Sequence, residues 1–388
     1  MWYERYGFTL DPYTIKDPFQ IQPELLEWNR EDLQEAHWKI QTFVDRACSG
    51  YRVGLGAYGP IGSGKTWLLR IIEKNFKEKL GDKVLFLYIR TYLPVSEPTF
   101  GIVYSLFIDS ILLQMDMILS GLTKAIGKKM SRPEEEVEEL KRLIGEEGWQ
   151  RIIGEIVPDR SLANCLWHLT YHPEKKDLCR EWLSGEKLAA KDLADLRFTM
   201  NLDKDFRKME ALKNLVSLSL NVYSLVVLVV DEMENARPMT ARIIGDSLRD
   251  LLDSFSGNFS VICSYTGERA EELVDLGYGP WLHTRLEYFA GLEALTTDYI
   301  ASWLAKHNSL YRKEGWTGAD QLLPFTKEGI QLLLRMMKPE ARYPRYIFVN
   351  CGHLGQAAYE ANKDTIDPAF IEANRDKLSD ISSQTTLM

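Results

Sequence analysis

Gly59-Pro60-Ile61-Gly62-Ser63-Gly64-Lys65-Thr66 puts three glycines, a lysine and two hydroxyls into one short run with the spacing G-x-x-x-x-G-K-T. These residue types together suit a polyphosphate. The glycines let backbone N–H groups turn inward around phosphate oxygens, and a helix opening at Lys65-Thr66-Trp67 adds its partial positive charge. Lys65 can reach the β- and γ-phosphates, and the Thr66 hydroxyl can ligate Mg²⁺. A second pair, Asp231-Glu232, closes the apolar run Leu225–Val230. Asp231 would hold Mg²⁺ directly or through water, and Glu232 would orient and polarise an attacking water. Adjacent Asp and Glu point to hydrolysis as well as binding; the plainer alternative is an acidic residue that ends a strand. The expected site comprises Gly59, Pro60, Ile61, Gly62, Ser63, Gly64, Lys65, Thr66 and Trp67 around ATP, with Thr66 and Asp231 on Mg²⁺.

Three further features follow in chain order. Ser264 and Thr266 end the next apolar run, where a hydroxyl can touch the γ-phosphate or the water. Arg285 opens the run after that, and Arg345 follows Pro344 at the start of a late helix. A guanidinium at either place can grip phosphate oxygens and report their loss through a domain shift; a surface salt bridge is the alternative for each. Cys165, His168 and His172 share a helix face, with Cys179 a few residues on, so a zinc site is geometrically conceivable. Buried cysteines and hydrogen-bonded histidines are the commoner explanation. Lys124, Lys128, Lys129 and Arg132 form a local basic cluster, read either as a contact to a phosphate backbone or as a solvated helix end.

The elements that must position these groups are legible from hydrophobic periodicity. Val53–Tyr58 is a strand leading into the phosphate loop, and residues 83–89 form a buried second strand. Leu225–Val230 is the third, followed by strands at Phe259–Ser264 and around Leu286–Phe289. Glu31–Ala47 is a helix ahead of the loop. Between the second and third strands everything is helical: Thr99–Ser120, Pro133–Ile144, Trp149–Val157, Leu162–Tyr171, Lys187–Leu196 and Phe206–Val222. A phosphate-loop sheet needs a single crossover helix there, so most of this stretch is an insertion. From Thr297 the pattern is helical to near the end. Residues 1–30, rich in Pro and aromatics, read as an extended arm across the core. There Phe19 either stacks on the nucleotide base or merely anchors the arm.

The bulk numbers set limits. At 388 residues the chain can hold two domains, or one large α/β core with a helical appendage. A net charge of −9 gives no general affinity for nucleic acid, although a local basic stripe remains open. The 5 cysteines are scattered without a C-x-x-C pair, which suits a reducing interior. The longest apolar run is strand-sized, and the first residues lack a signal-peptide layout, so a cytoplasmic protein without a membrane partner is expected.

In this arrangement the chain resembles the AAA+ ATPases, in the branch that contains origin-recognition ATPases, transposition regulators and STAND switches. Asp231-Glu232 resembles their Walker B pair, Ser264 or Thr266 their sensor 1, Arg285 the arginine finger before a strand, and Pro344-Arg345 the sensor 2 of the lid. Asp17-Pro18-Phe19 is similar to an Asn-Pro-Phe element ahead of the core. Glu181-Trp182-Leu183-Ser184-Gly185-Glu186 resembles a Trp-Leu-x-Gly-Glu segment of ATPases in BREX-type phage-defence loci. Two departures stand out: sensor 1 lacks the usual Asn, and Arg90-Thr91 stands where relatives place a polar switch residue facing the catalytic Glu. Slow or partner-dependent turnover is the implication.

The resemblance implies an α/β P-loop NTPase with a parallel sheet, a helical insertion at about 95–220, a core over 31–292 and a helical lid over 293–388. Arg285 would act on a neighbouring subunit, which implies a homo-oligomeric ring or filament. The expected activity is Mg²⁺-dependent ATP hydrolysis that remodels or regulates a complex bound to double-stranded DNA, with a protein partner. The alternatives are a STAND-like switch gating a protein effector without DNA, and a weakly active ATP-binding subunit stimulated by a partner enzyme.

Overall fold

The structure is a computed structural model and describes residues 1–14, 30–91, 99–132, 134–316 and 320–379. Five apolar runs form one sheet: β1 (Val53–Tyr58), β2 (Val84–Arg90), β3 (Leu225–Asp231), β4 (Phe259–Tyr265) and β5 (Tyr288–Gly291). They lie in the order β2-β3-β4-β1-β5, and every pairing is parallel. β3 and β4 are buried at every position. Val- and Leu-rich runs of this kind have no polar side to show, so both faces must be covered. Because β4 lies between β1 and β3, the carboxyl ends of all three open on one edge, where ligands bind in such sheets.

The described α-helices begin with α1 (Trp2–Arg5), α2 (Gln34–Cys48) and α3 (Lys65–Leu80). The insertion supplies α4 (Phe100–Lys129), α5 (Val137–Ile156), α6 (Arg160–Tyr171), α7 (Lys176–Leu183), α8 (Ala190–Asp195) and α9 (Asp205–Leu220). Then come α10 (Pro238–Ser254), α11 (Pro280–Arg285), α12 (Ile300–Ser309), α13 (Lys327–Met336), α14 (Pro344–Glu360) and α15 (Pro368–Ala373). On one sheet face α2 and α3 bury Phe43, Leu69, Ile72 and Phe76 against Leu55, Val227 and Val229. On the other, Phe107, Leu215 and Leu248 of α4, α9 and α10 pack with Leu85, Leu228 and Val261. That second cluster runs on without a break into Trp149, Leu166 and Trp182 of the insertion. The α/β architecture is therefore a five-stranded parallel sheet with a phosphate loop, a helical insertion and a helical lid.

Several expectations are corrected. The helices expected at Pro133–Ile144 and Trp149–Val157 both form within α5, and they are separated where Gly145, at φ 70 and ψ 160, leaves the helical path. β5 starts two residues later than expected, because Pro280 opens the unforeseen helix α11, whose last residue is Arg285. Between β4 and α11 lies a π turn at Val274–Tyr278. The longest apolar stretch is not strand-sized. Among the described residues α4 alone is long and apolar enough to cross a membrane, with a mean hydropathy of 1.7 in its richest window, half of which is buried. Its inner face packs on β2 and α9, as a core helix does.

Residues 1–14 differ from the extended arm expected across the core. Trp2, Tyr6, Phe8 and Tyr13 are buried in the same cluster as Trp303, Phe325, Ile347 and Leu354 of the lid. α1 lies on α14, Phe8 bridges Arg312, and Arg5 pairs with Asp364 at 2.7 Å. Aromatics at i and i+4 fold as a helical turn once a surface is there to receive them, and in this protein that surface belongs to the lid.

Candidate active site

The phosphate loop leaves β1 at Tyr58 and enters α3 at Lys65. Gly62 and Gly64 carry φ of 82 and 101, a left-handed conformation open to glycine at little steric cost. Gly62 has a second reason to lack a side chain: a Cβ there would stand 2.9 Å from Cβ of Arg345. The Arg345 backbone N–H donates to the Gly62 carbonyl at 3.3 Å, so lid and loop touch at this point.

Lys65 Nζ donates to the carbonyls of Gly59 at 2.8 Å and Pro60 at 3.2 Å and to Thr266 Oγ1 at 3.1 Å. Burial lowers its pKa; Glu234 and then Asp231 oppose that shift. Thr66 Oγ1 donates to Asp231 Oδ2 at 3.0 Å. Asp231 is 1% exposed, and its other oxygen accepts from the Glu232 N–H at 2.9 Å and from the Ser264 hydroxyl. Thr66 and Asp231 fit Mg²⁺. Two neighbouring oxygens of an octahedron with 2.0–2.1 Å bonds stand about 3.0 Å apart, and Mg²⁺ favours few carboxylates, with water and phosphate completing its shell.

Glu232 sits in the left-handed region, at φ 58 and ψ 40. A non-glycine residue stays there only when its surroundings over-determine it. The Thr91 hydroxyl and the Asn235 N–H both donate to the Glu232 carbonyl, the latter at 2.9 Å, and Thr91 N–H donates to the Asp231 carbonyl at 3.3 Å. Thr91 therefore grips backbone. The group on the Glu232 carboxylate is Asn235, whose Nδ2 donates at 3.3 Å. Sequence reasoning missed both Asn235 and Glu234. Glu234 accepts the Thr266 N–H at 3.0 Å and the Thr266 hydroxyl on its two oxygens.

Lys65, Thr66, Asp231, Glu232 and Thr266 line one cavity of about 290 Å³ with Ile61, Ser63, Trp67, Leu292 and Arg345, and Glu234 and Asn235 stand behind it. Its apolar wall comes from the lid, where Trp303 stacks on Phe348 with centroids 5.3 Å apart and His307 lies 4.4 Å from Phe348. Pro12 and Thr14 complete that wall. The spacing Trp303, His307, Tyr311 reads as core, which is why sequence gave no hint of it. Phe19 and Asp17-Pro18-Phe19 lie outside the described residues. Ser264 reaches the site only through Asp231.

Arg285 is not in the cavity. Its guanidinium pairs with Asp253 at 2.9 and 3.3 Å. Its carbonyl lies against Gly54, where a Cβ would meet it at 2.8 Å, near the amino end of β1.

At Cys165, His168, His172 and Cys179 the zinc alternative finds no support. No group of three or more His, Cys, Asp or Glu able to hold a metal occurs among the described residues. Cys165 donates to the Cys179 carbonyl at 3.7 Å, His168 Nε2 bonds the Leu196 carbonyl at 3.1 Å, and His172 stands beside Glu146 and Glu174. These contacts point to separate neighbours and do not converge on one point, although His168 Nδ1 and His172 Nε2 are buried without a hydrogen-bond partner. Within the segment Glu181–Glu186, Trp182 is buried and donates to the Met200 carbonyl at 3.0 Å, while Gly185, at φ 84, ends α7.

His307 yields a test of the lid. It is buried, its Nε2–H donates to the Pro12 carbonyl at 2.8 Å, and burial lowers its pKa from 6.5 to about 4. The unfolded chain therefore binds a proton that the folded chain refuses. Stability is unaffected above pH 6.5 and falls as pH drops from 6.5 to about 4, by about 3 kcal/mol from this residue. Denaturant unfolding at pH 7 and pH 4.5 should show the loss, and His307→Gln should flatten it. An equal pH slope in the variant would remove His307 as its source.

No protein-family model matches the chain, and no curated protein does. The chain is similar in part to several solved structures. The Aeropyrum pernix ORC2 protein, in ADPNP–ADP complexes, is 13% identical with a TM-score of 0.49, covering 94% of this chain and 74% of that one. Cdc6p from Pyrobaculum aerophilum is 13% identical with a TM-score of 0.45 and the same coverage, 94% and 74%. The Aeropyrum pernix ORC1 protein, in complex with DNA, is 12% identical with a TM-score of 0.46, covering 92% and 68%.

Proposed function

We propose that the chain is a Mg²⁺-dependent ATPase of the AAA+ class that works as a homo-oligomer and regulates a complex assembled on DNA. The observation that carries the ATPase reading is the convergence of Lys65, the Thr66–Asp231 oxygen pair and Glu232 on one cavity beneath Arg345. Lys65 would neutralise the β- and γ-phosphates, and the lid aromatics would take the base. Thr66 and Asp231 would hold Mg²⁺, which supplies charge neutralisation at the phosphates. Glu232 would accept a proton from the attacking water, and Arg345 would carry the phosphate state into the lid.

The place of Arg285 supports the oligomeric reading. The phosphate loop leaves the carboxyl end of β1 and Arg285 sits by its amino end, so the six-residue strand separates them by roughly 15–20 Å. An arginine so placed can serve another copy's phosphate and not its own. Arg285→Ala is therefore expected to lower turnover about a hundredfold with nucleotide affinity unchanged.

A second reading, a switch acting on a protein effector without DNA, is favoured by the insertion surface. There Leu113 is 83%, Phe206 67% and Met117 57% exposed, beside the exposed Met130 and Leu143. The basic cluster Lys124, Lys128, Lys129 and Arg132 is also exposed, at the far end of α4. Sedimentation with a non-hydrolysable ATP analogue, with and without double-stranded DNA, separates the two. Assembly that grows on DNA supports the first, assembly indifferent to DNA supports the second, and a monomer throughout sinks the action of Arg285 between copies.

A further inference from the structure

The turn after Glu232 places a carboxylate where the expected chemistry has no assigned use for one. Met233–Asn235 is a single 3-10 turn, pinned by the buried Tyr278 hydroxyl donating to the Met233 carbonyl at 2.7 Å. The left-handed Glu232 reverses the chain, so Glu234 points back across the end of β4 at Thr266. Both Glu234 oxygens are used there, one on the Thr266 N–H and one on its hydroxyl.

The proton count at Thr266 decides what this means. A threonine hydroxyl has one proton and two lone pairs. That proton is given to Glu234, and the oxygen accepts from Lys65 Nζ at 3.1 Å. So arranged, Thr266 has nothing to donate to a phosphate, although it lines the cavity beside Lys65. A terminal phosphate can gain the Thr266 proton if the hydroxyl turns away from Glu234. Lys65 is then free to move to the phosphate as well. ADP, which lacks that terminal group, has no need of the exchange.

We propose that Glu234 is a positioning residue that holds the Thr266 proton until a terminal phosphate takes it, setting how strongly the site distinguishes ATP from ADP. This deepens, and rests on, the ATPase reading of the same cavity. The carboxylate competes with the γ-phosphate for one hydroxyl, so it taxes ATP and leaves ADP untouched. It also favours the charged form of Lys65 more than any other carboxylate does, which agrees with its place beside both groups.

Glu234→Gln separates this role from a merely structural one. The amide oxygen can still accept the Thr266 N–H, but the amide nitrogen can only donate, so the hydroxyl proton is released to the cavity. Titration of a non-hydrolysable ATP analogue and of ADP into the full chain should show the analogue binding about tenfold tighter and ADP within about twofold, since a hydrogen bond to a charged group is being relieved. In a Thr266→Val background, where there is no hydroxyl to release, Glu234→Gln should leave the ATP-to-ADP ratio where Thr266→Val alone puts it. Equal weakening of both nucleotides would make Glu234 structural. A shift that persists beside Thr266→Val would make it a field effect of the charge; either result overturns the proposal. If the Gln variant fails to fold, Glu234→Asp tests the same point, because the shorter arm cannot span both Thr266 groups and should raise the ratio several-fold; an unchanged ratio overturns the role. A wild-type chain that binds neither nucleotide would sink the ATPase reading itself, whereas wild-type binding with an unmoved Gln variant sinks Glu234 alone.

Discussion

Lys65→Ala is expected to lower ATP affinity about a thousandfold while leaving the fold intact. Two charge-assisted contacts to the β- and γ-phosphates are lost, each worth about 1.5–3 kcal/mol. Removal of the ammonium also leaves Asp231, Glu232 and Glu234 facing the triphosphate without the cation that balances them. The fold should not suffer, because the carbonyls that Lys65 holds have other donors. Gly59 O also accepts from the Gly267 N–H at 3.4 Å and Pro60 O from the Ser63 N–H at 3.1 Å. Calorimetric titration with an ATP analogue, beside a thermal melt of each protein, checks both halves. Affinity within tenfold of wild type would place the phosphates elsewhere.

Glu232→Gln is expected to lower kcat about a thousandfold with ATP still bound, because the amide can orient a water but cannot take its proton. The variant keeps the side-chain length, so the Asn235 contact and the strained backbone around it can persist. Single-turnover hydrolysis, with binding measured separately, gives the test. A kcat within a few-fold of wild type would move the base to another carboxylate, and Glu234 would be the first to examine.

Legibility in sequence followed the distance over which each signal acts. The phosphate loop and Asp231-Glu232 were readable because their chemistry is concentrated beside a strand end, and the strands announce themselves as unbroken apolar runs. Thr266 was readable for the same reason. Glu234 was not: its aim depends on the left-handed backbone at Glu232, a conformation no residue type there advertises. The aromatic wall at Trp303, His307 and Phe348 was hidden because residues at helical spacing look alike whether they fill a core or line a cleft. At the Cys165–Cys179 cluster the commoner reading is the one that agrees with the structure, since Cys165 and His168 each bond a carbonyl. The first residues were misread because their prolines and aromatics say that they pack, and not on what.

The lodging of Trp2, Tyr6, Phe8 and Tyr13 among residues from 295 onward has a consequence for how the molecule is made. Topologically the lid is one body written in two pieces, with the whole sheet and its insertion spliced between them. During synthesis the first segment emerges with its aromatic side chains lacking the surface that will cover them. At about 5–20 residues per second its partners follow after roughly half a minute. The sheet, complete by residue 291, can fold in the interval, and at its rim it brings the two pieces together: Arg30 Nη2 donates to the Glu293 carbonyl at 2.8 Å. The cavity between sheet and lid is therefore complete only once both pieces of the lid have met.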